Sequence, residues 1–170
     1  MSSAPVLFLD FDGVLHPAPV WRQPDGRLLL DADAAAAGRV LFDRATALAA
    51  ALSDINVRLV LSSSWVQQLG YNRARGHLPP GLQCKVIGAT YHSRAQSRWV
   101  WYHYTRWEQI QVYVRRHALV RWLAIDDDAE GWPDGERHRL ICTDPYEGIS
   151  AVQIAELVQQ LRAGRTESDG

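Results

Sequence analysis

The residues best equipped for chemistry are Asp10 and Asp12. One residue, Phe11, separates them, and they come just past the apolar run Pro5-Val6-Leu7-Phe8-Leu9. Two carboxylates that close repel each other unless a cation neutralises them. Mg²⁺ suits that task, because it takes one or two carboxylates and keeps several waters. One carboxylate can then attack phosphorus and form an acyl phosphate. The other can protonate the leaving oxygen and later activate water. Alone, such a pair is also what an ordinary solvated turn provides. Two further groups fall at comparable places. Asp126-Asp127-Asp128 follows Arg121-Trp122-Leu123-Ala124-Ile125, and Ser62-Ser63-Ser64 follows Val57–Leu61. The three serines also suit the start of a helix at Trp65.

Each of these groups needs a strand that ends where it begins. The runs 5–9, 57–61, 85–88, 121–125 and 138–142 are short and continuously apolar, and they read as buried strands. Helical spacing appears over 39–53, 106–117 and 149–162, and a short helix starts at Trp65. Residues 70–83 read as a loop because of Gly76, Pro79, Pro80 and Gly81. Val20-Trp21-Arg22 and Arg27–Leu30 flank Pro24-Asp25-Gly26 and read as a hairpin. Strands that alternate with helices and lack a polar face predict an α/β, three-layer, Rossmann-like fold with a mostly parallel sheet. Ligands of such sheets bind beyond the carboxyl ends of the strands. The acidic groups and Ser62 all fall there.

The expected organisation is one domain over 1–162, with a small flap hairpin at about 14–38 and a flexible tail over 163–170. The net charge of -1 gives no overall signal for a polyanion or a membrane surface. No apolar run reaches the length of about 20 residues that spans a bilayer. Cys84 and Cys142 suggest no disulfide framework, and the N-terminus lacks the pattern of a signal peptide, so a cytoplasmic setting is expected. Lys85 is the only lysine among 18 basic residues. Codon bias or a need for the arginine fork would each produce that skew.

Leu7-Phe8-Leu9-Asp10-Phe11-Asp12-Gly13-Val14-Leu15 resembles the first motif of the haloacid dehalogenase (HAD) superfamily. Leu59-Val60-Leu61-Ser62 resembles the second, and Leu123-Ala124-Ile125-Asp126-Asp127 the fourth. The resemblance implies Asp10 as nucleophile and Asp12 as acid/base, with the Asp12 main-chain carbonyl on Mg²⁺. It gives Ser62 a hydrogen bond to the phosphoryl group. Of the acidic pair, Asp127 is implied as the direct metal ligand and Asp126 as a water-mediated or ordering one; Asp128 reads as a solvated loop residue. The third motif is a Lys or Arg that offsets charge at the nucleophile. Arg106, at the start of a helix, is the choice over Arg115, Arg116 and Lys85. Ser-Ser-Trp after the second strand, Arg106, the Asp-Asp pair and Thr143-Asp144-Pro145 with Gly148-Ile149 resemble the HAD domain of Swiss Army Knife RNA-repair proteins. That closer likeness implies a phosphatase acting on RNA or DNA ends.

Neither insertion point has room for a large cap, so the expected site is open and suited to a bulky substrate. Phosphatases for nucleotides or small metabolites, and a nucleic-acid-binding protein with a vestigial site, are the alternatives. His16, Trp21, Ser63 and Arg98 are candidates for substrate contact. The segment from Tyr91 to Thr105 interleaves arginines and aromatics, a mixture that can stack on bases and grip phosphates. The same mixture would serve to fold onto the core or to form a dimer contact. The sequence leaves the oligomeric state open.

Overall fold

The computed structural model describes residues 4–94 and 97–163. In chain order the elements are β1 (Val6–Leu9), β2 (Val20–Arg22), β3 (Leu28–Leu30), α1 (Ala32–Ala36), α2 (Ala45–Ala51), β4 (Arg58–Leu61), α3 (Ser64–Leu69), α4 (Tyr71–Gly76), α5 (Pro80–Gln83), β5 (Val86–Ala89), α6 (Arg98–Tyr102), α7 (Arg106–Arg116), β6 (Trp122–Asp126), β7 (Leu140–Cys142) and α8 (Ala151–Ala163). A 3₁₀ turn over Asp134–Arg139 leads into β7. Five strands form one sheet in the order β5-β4-β1-β6-β7, and every pairing is parallel. β1 therefore sits at the centre, with the chain crossing to one side for β4 and to the other for β6. That is the switch point where such sheets open a crevice.

The apolar strands are explained by two buried faces. Leu7, Leu9, Leu59, Leu61 and Ile125 enter one core, which α2, α3 and α8 also line. Val6, Phe8, Val60, Trp122 and Ala124 enter a second core with Ile110 of α7 and Trp132. Successive side chains leave a strand on opposite faces, so a strand sandwiched between helix layers must be apolar throughout. Phe8 is fully buried and meets Tyr113 and Trp122 edge-on at 5.6 and 5.8 Å. Truncating such a ring to alanine costs about 3–5 kcal/mol.

Four expectations are corrected in detail. Residues 70–83 are not a loop: they hold α4 and α5, with Ala74 and Leu82 buried. Prolines at the first positions of α5 start that helix rather than break it. The helix expected over 39–53 runs only from Ala45, because Phe42 has a left-handed φ of 62° that no helix tolerates. The strand expected from His138 begins at Leu140, since its first two residues belong to the 3₁₀ turn. The aromatic segment contains a short helix, α6, where no period was visible. The hairpin is present, with Val20 opposite Leu30 and Arg22 opposite Leu28. From residue 164 onward the expected tail lies outside the described residues.

Candidate active site

The carboxyl ends of β1, β4 and β6 are adjacent, so Asp10, Ser62 and Asp126–Asp127 share one edge. Asp10 is buried, and its Oδ1 accepts from the Phe11 N–H at 2.7 Å. Its Oδ2 accepts from Arg106 Nη2 at 3.3 Å. Arg106 is the first residue of α7, and a capping box fixes that start. Thr105 Oγ1 accepts from the Glu108 N–H, and Glu108 Oε2 accepts from the Thr105 N–H at 2.8 Å. Arg106 Nε lies 2.8 Å from Asp126 Oδ2, pairing by charge rather than by a well-aligned hydrogen bond. One arginine thus bridges two buried carboxylates that belong to different strands.

The acidic side carries more negative charge than Arg106 neutralises. Burial pushes the Asp10 carboxyl above its ordinary range, Arg106 pulls it back, and Asp12 adds to the rise. Burial raises Asp126 well above that range against the pull of Arg106, and Asp10 raises it further. Asp127 is pushed up to about 6, first by burial and then by Asp10. For Arg106, burial favours loss of the proton, but Asp10 and Asp126 outweigh it and the net shift is upward. One carboxylate oxygen from each of Asp10, Asp126 and Asp127 lies within 4.8 Å of the others. An all-oxygen donor set with excess negative charge fits a hard divalent cation such as Mg²⁺.

The members of the acidic pair differ. Asp126 Oδ1 accepts from the Asp128 N–H at 3.1 Å and its Oδ2 faces Arg106, so both oxygens are engaged. Asp127 receives a hydrogen bond from its own backbone and lies against Gly13. Gly13 has φ +69°, and a Cβ there would overlap the Asp127 carboxylate. The glycine after the aspartates thus serves both the turn and the close approach. The Gly13 carbonyl accepts from Thr143 Oγ1 at 2.7 Å, and the Val14 carbonyl accepts from the Ile149 N–H at 2.8 Å. The loop from Thr143 to Ile149 therefore braces the turn that carries Asp12.

Asp12 has a different set of partners. Its Oδ1 is 3.0 Å from His16 Nε2 and 2.9 Å from Trp65 Nε1. Sequence reasoning missed the Trp65 contact, which spans 53 positions and leaves no local trace. The expectation that His16 touches substrate meets a ring with no exposed surface. Trp21 stands on the hairpin and is 57% exposed. Ser62 is fully buried, and its hydroxyl has no partner among the described residues. Ser63 caps α3 through the Trp65 N–H and also hydrogen-bonds Asp10.

Arg98 is tied to α3: its Nη2 donates to the Gln67 carbonyl at 3.0 Å, and Gln67 Nε2 donates to the Arg98 carbonyl at 3.2 Å. Both readings of the aromatic segment find residues. Tyr91 and Trp101 fold into the core, whereas Trp99 and Tyr102 are 74% and 77% exposed. Among the described residues, no helix is long and apolar enough to cross a membrane.

No curated protein sequence matches the chain. A solved structure named as a 3-deoxy-D-manno-octulosonate 8-phosphate phosphatase from Vibrio cholerae aligns over 99% of this chain and 88% of its own, with 14% identity and a TM-score of 0.47. That likeness is too distant to carry an argument. A family model described as the HAD domain in Swiss Army Knife RNA repair proteins matches residues 6–154. The match takes in all four motif positions and the brace at 143–149. The HAD-type phosphatase class read from the sequence accords with it. The chain belongs to this family of HAD domains.

Proposed function

We propose that the protein is a Mg²⁺-dependent phosphomonoesterase that works through an aspartyl-phosphate, with an open site suited to the phosphorylated end of a polynucleotide. The observation that carries this reading is the bridge from Arg106 to Asp10 and Asp126 beside the Asp10–Asp126–Asp127 oxygen cluster. Asp10 Oδ1 accepts from the Phe11 N–H and Oδ2 from Arg106, which together fix the carboxylate at the carboxyl end of β1. Asp10 attacks phosphorus, the phosphorus–oxygen bond to the leaving group breaks, and Asp12 gives that oxygen its proton. Asp12 then takes a proton from water as the water attacks the acyl phosphate, which releases phosphate and restores Asp10. Ser62, whose hydroxyl has no partner among the described residues, supplies a donor to a phosphoryl oxygen. Arg106 keeps positive charge beside the nucleophile as negative charge accumulates.

Asp10, Asp127 and the Asp12 main-chain carbonyl would hold Mg²⁺, with Asp126 ordering the site through Arg106. When bound, the ion would neutralise the carboxylates and the phosphoryl oxygens. The polynucleotide part of the reading rests on three supports. The family description names RNA repair. The insertions after β1 and β5 are a hairpin with short α1, and short α6, neither of which is an independent cap. Trp99 and Tyr102 of α6, the helix that Arg98 starts, present rings to solvent. The reading takes 1–162 as one domain, with 14–38 as the flap.

Phosphate release from a 3′-phosphorylated oligonucleotide, a 5′-phosphorylated one, free nucleotides and an aryl phosphate, with Mg²⁺ or EDTA, tests both parts. Mg²⁺-dependent preference for an oligonucleotide end is expected. Release from free nucleotides alone would remove the polynucleotide part. No release from any of them with Mg²⁺ present would remove the enzyme.

A further inference from the structure

Asp12 must hold one carboxylate oxygen toward the leaving group while its own carbonyl and Asp10 face the acidic side. The ring cluster around it provides for this. His16, Phe42, Trp65 and His77 pack edge to face or stacked: His16 to Phe42 at 4.8 Å, Phe42 to Trp65 at 5.2 Å, Trp65 to His77 at 5.1 Å, and Phe42 to His77 at 5.5 Å. Phe11 closes the group against Phe42 and Trp65 at 5.3 and 5.7 Å. His16 is fully buried and Trp65 nearly so. Inside this cluster sit two N–H groups with a single common target.

The direction of the hydrogen bonds follows from the backbone. The Phe42 N–H donates to His16 Nδ1 at 3.3 Å, so that nitrogen presents its lone pair. The proton of the ring then sits on Nε2, which donates to Asp12 Oδ1. Trp65 Nε1–H has only a donor role and reaches the same oxygen. Phe42 itself holds a left-handed φ of 62°. A bulky residue adopts that conformation only where its surroundings over-determine it. Here it turns the N–H toward His16 and keeps the ring between His16 and His77.

We infer that His16 and Trp65 are positioning residues for proton transfer: their paired donation to Asp12 Oδ1 fixes the carboxylate so that Oδ2 faces the leaving group. Among the described residues Oδ2 has no donor, and the Asp12 side chain is 29% exposed, against 5% for Asp10. The proton that passes to the leaving oxygen therefore resides on Oδ2, the oxygen the rings leave free. This assignment rests on the phosphatase reading above and adds to it the means by which the acid is aimed. A displacement of about 1 Å in a reacting group can cost on the order of 10²-fold in rate, so losing the aim is measurable.

Trp65→Phe keeps a ring and removes the N–H. His16→Leu removes both nitrogens, and His16→Gln returns one side-chain N–H donor. The measurement is kcat/KM for a series of aryl and alkyl phosphates whose leaving groups differ in acidity, with Mg²⁺ saturating. A leaving group that departs readily as an anion needs little help from an acid; a poor one needs it fully. Expected is a fall of about 10- to 100-fold for alkyl phosphates in Trp65→Phe and His16→Leu, a much smaller fall for the most acidic phenols, little change in KM, and partial recovery in His16→Gln. An equal fall for every leaving group, together with a lowered melting temperature, would overturn the assignment and leave the rings a packing role. Unchanged rates would overturn it too. If the unaltered protein releases phosphate from none of the series, the phosphatase reading itself fails.

Discussion

Asp10 and Asp12 are two residues apart and live in opposite neighbourhoods. Asp10 is buried among charges: Arg106 on one oxygen, Asp126 and Asp127 within reach, and burial raising its affinity for a proton. Asp12 is partly exposed and lies against rings that offer N–H groups but no formal charge. In the proposed reaction the first setting suits a carboxylate that Arg106 and a cation keep ionised against the pull of burial, so that it can meet phosphorus. The second suits a carboxyl that must change protonation within each turnover. One strand end supplies both because Phe11 between them turns into the core, and Gly13 then reverses the chain beside Asp127.

The strongest break of the comparison is Asp10→Asn. Loss of the proposed nucleophile should reduce phosphate release at least roughly 10³-fold, read as single-turnover kinetics. Asp12→Asn should cost about 10²- to 10⁴-fold. With an aryl phosphate whose leaving group needs no acid, it should also make the phosphoenzyme accumulate, since the same group activates the water. Its melting temperature should stay near that of the parent.

Asp127→Asn should separate binding from folding. Its carboxyl titrates near 6 in the fold against 3.8 for an unperturbed group. A raised folded value means that the native state holds the proton more tightly, so stability is full below the unfolded value and falls as pH rises through the folded one. Without Mg²⁺, melting temperature should therefore decline as pH rises from about 4 to 6. Added Mg²⁺ should raise it more at pH 7 than at pH 5, because the ligands must be deprotonated. The variant should be the more stable protein at pH 7 without Mg²⁺ and should lose most of the response to the ion. Calorimetric scans with EDTA and with Mg²⁺ at both pH values check this; a parent that melts higher than the variant in EDTA at pH 7 would contradict the charge argument.

The smallest effect is reserved for the brace. Thr143→Val leaves the buried Gly13 carbonyl without its donor, at a cost of about 1–3 kcal/mol. Denaturant unfolding should show that loss, with catalysis lowered much less than by any change to the aspartates.

The central strands and their chemical ends were legible because each strand is buried on two faces and then stops abruptly at Asp10, Ser62 or Asp126. Arg106 was legible by place, and Thr105-Arg106-Trp107-Glu108 contains the capping signal that would have fixed its position as well. The helices α4 and α5 were hidden by Pro79, Pro80 and Gly76, which read as loop punctuation when their place at helix starts and ends is unknown. The setting of Asp12 was not legible at all. His16 looked like a flap residue near the substrate, and it is packed against Phe42 and Trp65, with His77 against both of those rings, all brought in from separate segments. Contacts of that kind leave no period in the chain.

In the proposed reaction phosphorus passes through Asp10. The direct test is acid quenching of Asp12→Asn mixed with an aryl phosphate of acidic leaving group and Mg²⁺, followed by mass spectrometry of the peptides. One added phosphoryl group is expected on the peptide that carries Asp10, absent when Asp10→Asn is added to the variant. Phosphate release without any phosphoenzyme, or a phosphoryl group on another residue, would contradict it.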